Sequence, residues 1–474
     1  MIVHPDPLSL AARRRPDGLG IIDTHTGARL TYRSLHDRVE RLAGGLIDEG
    51  VSPGERVVFL GEHGVRAVTL IHAVWRCGAT VVPIDPSLPS ERQRHRLERI
   101  DPTLTVGERS VDAPGAFTAL ENLANDPPQR ELPNRDPSSP ACILFTSGTS
   151  GDPRAVTLTM DNLQSSAVAS ASRLGIEPTD RWMVPLAPYH MGGVAPIMRT
   201  ALAATTLVTA SFNGDEIRQL IERLEITMAS VVPTMLRRDL ESSAAFSNLR
   251  VLLVGGDRTP PALVRQALAA DVPIYVSYGM TETASQVATA PPARLECDPE
   301  TVGRPLRFLT VTTRDYSDTD EIGEIVVSGP TVSPGYLDEE DDERFPGSGT
   351  LRTGDAGYLD GEWLYIVGRI DDRIVSGGVT VDPVRIADTI RSHSAISDVC
   401  IVGVQDAEWG ERVCALVEGT AIPAEEIEAY LRERLTDAER PKDLEWTREL
   451  PRTPSGTIDR EAVRMRFIEH DTGG

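Results

Sequence analysis

The chain has 474 residues, 48 of them basic and 71 acidic, for a formal charge of −23. At roughly 150 residues per domain this is too long for one compact core and implies about two or three structural units. A content of 40% hydrophobic and 25% charged residues argues against disorder, collagen-like repeats and coiled coil, and the acidic excess argues against a nucleic-acid binder, which needs basic patches for phosphate. Nucleotides stay open as substrates.

Apolar runs such as Ala141–Phe145 and Val251–Val254 fall well short of the ~20 residues that cross a bilayer. The N-terminus, with Pro5 and Pro7 leading into Arg13-Arg14-Arg15, lacks the apolar stretch of a secretory signal. The expectation is a cytoplasmic protein without a membrane or nucleic-acid partner. The five cysteines, Cys77, Cys142, Cys297, Cys400 and Cys414, are scattered with no C-x-x-C pair, so buried free thiols are expected, neither a disulfide framework nor a zinc site.

In chain order, Leu35–Glu49 has helical spacing, Arg56–Leu60 reads as a strand, Val65–Arg76 as a helix and Thr80–Ile84 as a strand. The stretch from Val106 to Pro140, rich in Pro, Asp and Asn, reads as surface connection. Strand-like runs follow at Ala141–Phe145, Ala203–Thr209, Met228–Val232, Val251–Val254 and Ile274–Tyr278, with helical spacing at Gly214–Leu224 and Pro261–Ala269 between them. This is the pattern of a buried parallel sheet. Glu321–Ser328 and Trp363–Val367 read as strands of a β-rich section. Beyond Gly368 come a helix at Val384–Ser392, strands at Val399–Val404 and Arg412–Val417, and a helix at Pro423–Arg434. That suffices for a small α+β domain, with a boundary near Arg369–Asp372.

Lys442 is the only lysine among the 48 basic residues, so the Walker loop, which needs Lys after its second Gly, is missing. Kinase and pyridoxal-enzyme readings lose their lysine too. An acidic chain that prefers arginine to lysine reads as adaptation to high salt, where the Debye length falls to ~3 Å at 1 M and self-repulsion is screened.

The most informative stretch is Thr146-Ser147-Gly148-Thr149-Ser150-Gly151, followed by Asp152-Pro153-Arg154. Four hydroxyl residues and two glycines behind an apolar strand make a loop whose N–H and O–H groups can wrap a polyphosphate. A hydroxyl-rich surface turn is the bland alternative; a serine hydrolase lacks support because there is no G-x-S-x-G elbow. Ser277-Tyr278-Gly279-Met280-Thr281-Glu282-Thr283 puts an aromatic, a hydroxyl and a carboxylate at a strand's carboxyl end, where open α/β sheets bind ligands. Tyr278 can stack on a base and Glu282 can hold Mg²⁺ alongside substrate phosphates. Thr353-Gly354-Asp355 and Gly368-Arg369-Ile370-Asp371-Asp372-Arg373 supply a carboxylate and a guanidinium able to grip a ribose. Taken singly, each is more often a turn or a solvated charge.

Together, in order and spacing from Thr31-Tyr32 to Gly456, these motifs resemble the adenylate-forming superfamily of acyl-CoA synthetases, carrier-protein adenylation domains and luciferases. Within it, Pro185-Leu186-Ala187-Pro188-Tyr189-His190-Met191-Gly192-Gly193, Tyr278–Gln286 and Ser376-Gly377-Gly378 are most similar to the o-succinylbenzoate–CoA ligases of menaquinone biosynthesis. The resemblance implies an α/β fold: a large N-terminal domain of layered α/β sheets with a β-rich section (1–368), plus a small mobile C-terminal α+β domain (369–474) that rotates about a hinge near Asp371.

It implies ATP, Mg²⁺ and CoA as cofactor and cosubstrates, beside a small-molecule carboxylic acid. Thr146, Ser147, Gly148, Thr149, Ser150, Gly151 and Arg154 look like the phosphate loop. Gly255, Gly256, Tyr278 and Gly279 resemble the adenine site, and Thr281 and Glu282 the phosphate and metal positions. Asp355 is similar to the ribose-binding carboxylate, Arg369 to its arginine partner, and Gly377 and Gly378 to the CoA channel. His190, Arg199, Ser285 and Gln286 fall at the acyl substrate. Arg199 suits the extra carboxylate of a dicarboxylic aromatic acid. His190 is expected to orient or gate the acyl carboxylate, not to act as a base, since that group is already ionised at neutral pH.

Three departures stand out. Arg154 and Ala155 stand where the family usually has Lys and Gly, and Gly192 where related ligases often carry serine. Thr457 occupies the position of the adenylation lysine, and a hydroxyl cannot replace that cation. Either Arg452, Arg460 or Lys442 covers the role, or adenylation is slow while thioester formation is retained. The leading expectation is an acid–CoA ligase forming AMP and pyrophosphate. The alternatives are an adenylate-forming ligase with a carrier-protein or amine acceptor, and an impaired acyl-adenylate-binding protein. The oligomeric state is open, a homodimer among the options.

Overall fold

The β-branched runs Arg56–Leu60 and Thr80–Ile84 pair in parallel, with the nearly all-apolar helix Val65–Arg76 as their crossover. Parallel neighbours need a crossover of this kind, which a helix supplies. The computed structural model describes residues 6–108, 115–123, 135–146, 153–210, 214–240, 248–315, 322–339, 342–406, 408–452 and 458–472.

Among the described residues the chain groups into two compact units. The first comprises Met1–Thr259, Arg265–Val311 and Val327–Arg352; the second comprises Pro260–Val264, Thr312–Val326 and Thr353–Gly474. A seven-stranded sheet in the first has the order Gly335–Tyr336, Arg154–Thr159, Pro140–Thr146, Thr80–Ile84, Arg56–Leu60, Leu104–Gly107, Ala116–Thr118. A nine-stranded sheet runs Arg304–Pro305, Ser285–Ala290, Ile274–Met280, Val251–Val254, Met228–Val231, Arg181–Val184, Thr206–Thr209, Leu19–Asp23, Arg29–Thr31. Tyr32, Leu46, Leu70, Ile71 and Trp182, each no more than 1% exposed, belong to the main core. Thr310–Asp315, Gly323–Ser328, Thr350–Asp360 and Trp363–Arg369 form a four-stranded sheet.

In the second unit, the long strands Ile396–Asp406 and Gly410–Gly419 pair antiparallel, and Asp443–Thr447 adds in parallel. Ile386 and Ile390 of the helix Pro383–Arg391 share a buried core with Val399, Val413 and Val417 of these strands. The layered α/β class with a C-terminal α+β part is as expected.

Differences from the sequence reading are local. The strand expected at Ala203–Thr209 covers Thr206–Thr209 only, because the helix Met191–Ala203 reaches Ala203 and Ala204, at φ 53°, terminates it. The supposed connection after Val106 contains a strand, Ala116–Thr118, parallel to Leu104–Gly107. Four cysteines are buried, whereas Cys297 is exposed, at the end of a short helical turn. Among the described residues no helix is long and apolar enough to cross a membrane.

Candidate active site

Strands Arg181–Val184, Met228–Val231, Val251–Val254 and Ile274–Met280 are neighbours and all parallel, so their carboxyl ends share one edge of the nine-stranded sheet. Ligands of open α/β sheets bind at such an edge. His190, Gly255, Gly256, Tyr278, Gly279, Thr281 and Glu282 all lie at or just beyond these strand ends. Gly279 permits the return: a Cβ there would stand 1.9 Å from the Ser285 carbonyl oxygen. Ala284 and Ser285, at φ 51° and 111°, then reverse the chain, and Ser166 Oγ holds the turn by donating to the Ala284 carbonyl at 2.6 Å.

Glu282 is 7% exposed. The Tyr336 hydroxyl donates to its Oε1 at 2.8 Å, and Arg344 Nη2 approaches the same oxygen at 3.4 Å. Arg344 Nη1 also donates to the Tyr336 hydroxyl oxygen. Oε2 has no protein hydrogen bond among the described residues. Burial, with the Glu282 carboxylate beside it, pushes the Tyr336 phenol well above its usual pKa. Tyr336 is therefore a donor at every physiological pH.

Tyr336 reaches this position because Gly335–Tyr336 pairs antiparallel with Arg154–Thr159, Tyr336 opposite Val156. Ser333 secures the approach. Its N–H donates to the Glu282 carbonyl at 2.8 Å and its hydroxyl to the Thr157 carbonyl at 2.6 Å. The Arg154 guanidinium lies 5.1 Å from the centre of the Tyr336 ring, within 4 Å of carboxylate oxygens of Glu339 and Asp342 at 3.8 and 3.9 Å. Thr146 and Arg154 face each other across their hairpin. Ser147, Gly148, Thr149, Ser150 and Gly151 lie outside the described residues, as does Thr457; the ends of the loop, at Thr146 and Arg154, come back together beside Tyr336.

The helix Met191–Ala203 starts from His190, whose ring meets Tyr189 edge-on at 4.8 Å. Gly193 allows the tight entry, since a Cβ there would sit 2.1 Å from the Ala187 carbonyl oxygen. At Gly192, a Cβ would meet only the end of the Leu186 side chain, at 2.6 Å. Farther along, Arg199 is 2% exposed, lies over the Trp182 ring at 5.5 Å and donates to Ser285 Oγ at 2.8 Å. It has no carboxylate within ion-pair distance and an unbonded Nε among the described residues. Burial alone pulls its pKa down to about 9. Successive strand residues face opposite ways, so Gln286 points from Ser285 toward the helix Met160–Leu174, accepting from Ser170 Oγ at 2.6 Å and donating to Thr289 Oγ1 at 2.7 Å. The fold brings Ser285 to Arg199 and keeps Gln286 away.

In the second unit, Asp355 and Arg369 are cross-strand partners, and Arg369 Nη1 donates to Asp355 Oδ1 at 3.1 Å. Asp371 Oδ2 is 4.0 Å from the same guanidinium. Gly377 and Gly378, at φ 58° and 77°, form the two-residue turn between Ile374–Ser376 and Val379–Val381. Both positive φ values are what a type I′ hairpin turn demands. The three cations considered as stand-ins for the missing lysine are engaged: Arg452 with Asp398 at 3.1 Å, Arg460 with Asp372 at 3.1 Å, and Lys442 with the Asp437 carbonyl at 2.8 Å and the Trp409 ring.

Sequence reasoning missed Tyr336, Arg344 and Trp182. Gly335-Tyr336, an aromatic behind a glycine before an acidic run, was the one local signal.

The family model for the AMP-binding enzyme matches residues 8–337, and that for the AMP-binding enzyme C-terminal domain matches residues 385–457. The chain belongs to the AMP-binding enzyme family. This AMP-binding enzyme is 32% identical to the 2-succinylbenzoate–CoA ligase of Bacillus cereus over 456 residues, 93% of this chain and 94% of that protein. It is 31% identical to the enzyme of the same name from Bacillus licheniformis over 478 residues, 97% and 99% of the two chains. The solved o-succinylbenzoate CoA synthetase of Bacillus subtilis, in complex with its acyl-adenylate intermediate, superposes with a TM-score of 0.90 at 28% identity, covering 97% of this chain and 98% of that one. The same synthetase in complex with ATP and magnesium gives 0.89 at 28% identity, covering 97% and 99%.

Proposed function

We propose that this AMP-binding enzyme is an ATP-dependent acid–CoA ligase acting on o-succinylbenzoate in menaquinone biosynthesis, in the cytoplasm. A carboxylate oxygen of the acid attacks the α-phosphorus of ATP and pyrophosphate leaves. The CoA sulfur then attacks the acyl carbon and AMP leaves. The observation that carries the choice of acid is Arg199, a buried guanidinium with no carboxylate in ion-pair range among the described residues. A buried charge of this kind needs a partner, and a substrate with a second carboxylate supplies one.

The first step joins two anions, so positioning and charge neutralisation govern its rate. Glu282 fits a hard cation: a buried carboxylate with one oxygen held and the other unpartnered among the described residues. Magnesium bound there supplies neutralisation of phosphate charge. The loop from Thr146 to Gly151 and Arg154 hold the phosphates, with Thr281 beside them. Gly255, Gly256, Tyr278 and Gly279 shape the adenine site. Asp355 and Arg369 hold the ribose, and His190 orients the reacting carboxylate. The segment from 369 onward turns about Asp371 to bring Gly377 and Gly378 to the pantetheine arm for the second step, a motion of the kind that sets turnover in many enzymes. The arginine-rich acidic surface reflects adaptation to high salt.

The test is an AMP-release assay at high salt, run with o-succinylbenzoate, benzoate, a fatty acid and an amino acid, with CoA consumption followed in parallel. Release with o-succinylbenzoate alone supports the proposal; release with another acid, or without CoA consumption, replaces it with a ligase of different acid or acceptor. A second reading, impaired adenylation, is favoured by the engagement of Arg452, Arg460 and Lys442 elsewhere in the second unit. Synthetic acyl-adenylate plus CoA, compared with acid plus ATP, separates the two: equal rates make the loss of the lysine at 457 unimportant.

A further inference from the structure

Glu282 is held on one side only. Its Oε1 receives both protein contacts, from Tyr336 and Arg344, while Oε2 receives none among the described residues. A phenol can donate or accept, and Arg344 decides which. By donating to the Tyr336 oxygen, the guanidinium occupies a lone pair and leaves the phenolic hydrogen to point at the carboxylate. The ring cannot swing away, because it is 5% exposed and packed edge-on against Phe345 at 5.4 Å. Arg154 covers it at 5.1 Å.

We infer that Tyr336 is a positioning residue for the metal-binding carboxylate, and that Arg344 fixes the direction of its hydroxyl. The inference rests on the reading that Glu282 holds magnesium with ATP. A carboxylate anchored through Oε1 presents Oε2 at one fixed place, so the rotational freedom of a glutamate side chain is removed before the cation arrives. Partners of this kind, behind a metal ligand, typically contribute 10–100-fold to metal affinity. The same hydroxyl ties the hairpin that closes the phosphate loop to the strand end that carries Glu282, since Tyr336 is bonded into the Arg154–Thr159 strand.

Tyr336→Phe keeps the ring and its packing and deletes only the hydroxyl; Arg344→Met removes the group that directs it. Binding of Mn²⁺ to the full-length protein in the presence of ATP, read by electron paramagnetic resonance, is the primary measurement, with the Mg²⁺ dependence of kcat and KM beside it. Tyr336→Phe is expected to weaken Mn²⁺ binding roughly 10-fold or more, to raise the Mg²⁺ concentration for half-maximal rate with a smaller change in kcat at saturating Mg²⁺, and to leave the melting temperature within a few degrees of wild type. Adding Tyr336→Phe to Glu282→Gln is expected to cause no further loss, since the hydroxyl then has no carboxylate to position. Unchanged Mn²⁺ affinity in Tyr336→Phe, with wild type binding metal and ATP normally, overturns the positioning role alone. A wild type that takes up neither overturns the reading of the site as well.

Discussion

Arg199 donates to the Ser285 hydroxyl 2.8 Å away, in a place where it is 2% exposed and without an acidic neighbour in ion-pair range among the described residues. Its pKa, drawn down to about 9 by burial, makes the acid site sensitive to alkaline pH. The charged form predominates below pH 9, is half-populated at about pH 9 and fades above it, so KM for a dicarboxylate is expected to climb as pH passes about 9, whereas KM for ATP is not. Arg199→Met is expected to raise the dicarboxylate KM about 10-fold or more, as loss of a charge-assisted bond of roughly 1.5–3 kcal/mol implies, and to flatten that pH dependence. Initial rates in both substrates from pH 7 to 10 check this. The stability effect has the opposite sense. The folded pKa lies below the unfolded one, so the cost of burying the charge is full below pH 9 and is relieved as pH rises further.

Asp355 receives Arg369 directly across its hairpin at 3.1 Å and is 7% exposed. Asp355→Asn keeps the shape and removes the charge. KM for ATP is expected to rise about 10-fold, with little change in KM for the acid, by steady-state kinetics. Equal effects on both substrates would remove the ribose assignment.

His72 is 1% exposed, with its ring edge-on to Trp75 at 5.3 Å. Burial lowers its pKa to about 4, partly opposed by Asp6 and reinforced by Arg76. In the unfolded chain it titrates near 6.5, so between pH 6.5 and 4 the unfolded state binds the extra proton and stability falls with pH, by roughly 3 kcal/mol over the window. Asp6, whose own pKa is lowered against the burial that raises it, chiefly by Arg76, adds a loss only at still lower pH. His72→Leu is expected to flatten the decline between pH 6.5 and 4 in urea titrations.

With 71 acidic against 48 basic residues, repulsion across the surface is relieved as the Debye length shortens. The melting temperature is expected to rise between 0.05 and about 1 M KCl. A flat or falling curve by differential scanning fluorimetry would detach the composition from salt adaptation.

Most elements were legible because their signals are local. Val65–Arg76 and Val251–Val254 have the expected bounds, since a mainly apolar run between turn residues needs nothing from elsewhere in the chain. The strand ends that carry Tyr278 and Glu282 were legible for the same reason. Tyr336 and Arg344 were not, because their role depends on a strand pairing between distant segments, Gly335–Tyr336 with Arg154–Thr159, which leaves no periodic trace in so short an element. Gln286 follows Ser285 directly, yet the alternation of the strand sends it to Ser170; adjacency in sequence alone gave no hint of which face the helix Met160–Leu174 would claim. Arg199 carried a signal only through its spacing from His190, and its lack of an acidic neighbour among the described residues needed the folded surroundings.

Gly335–Tyr336 contributes only two residues to the border of its sheet, yet it carries the hydroxyl that grips Glu282. A rung that short opens at far lower free energy than the interior strands. Warming will therefore fray this clasp while the rest of the molecule is still folded, and the magnesium needed for half-maximal rate will climb several degrees before the enzyme melts.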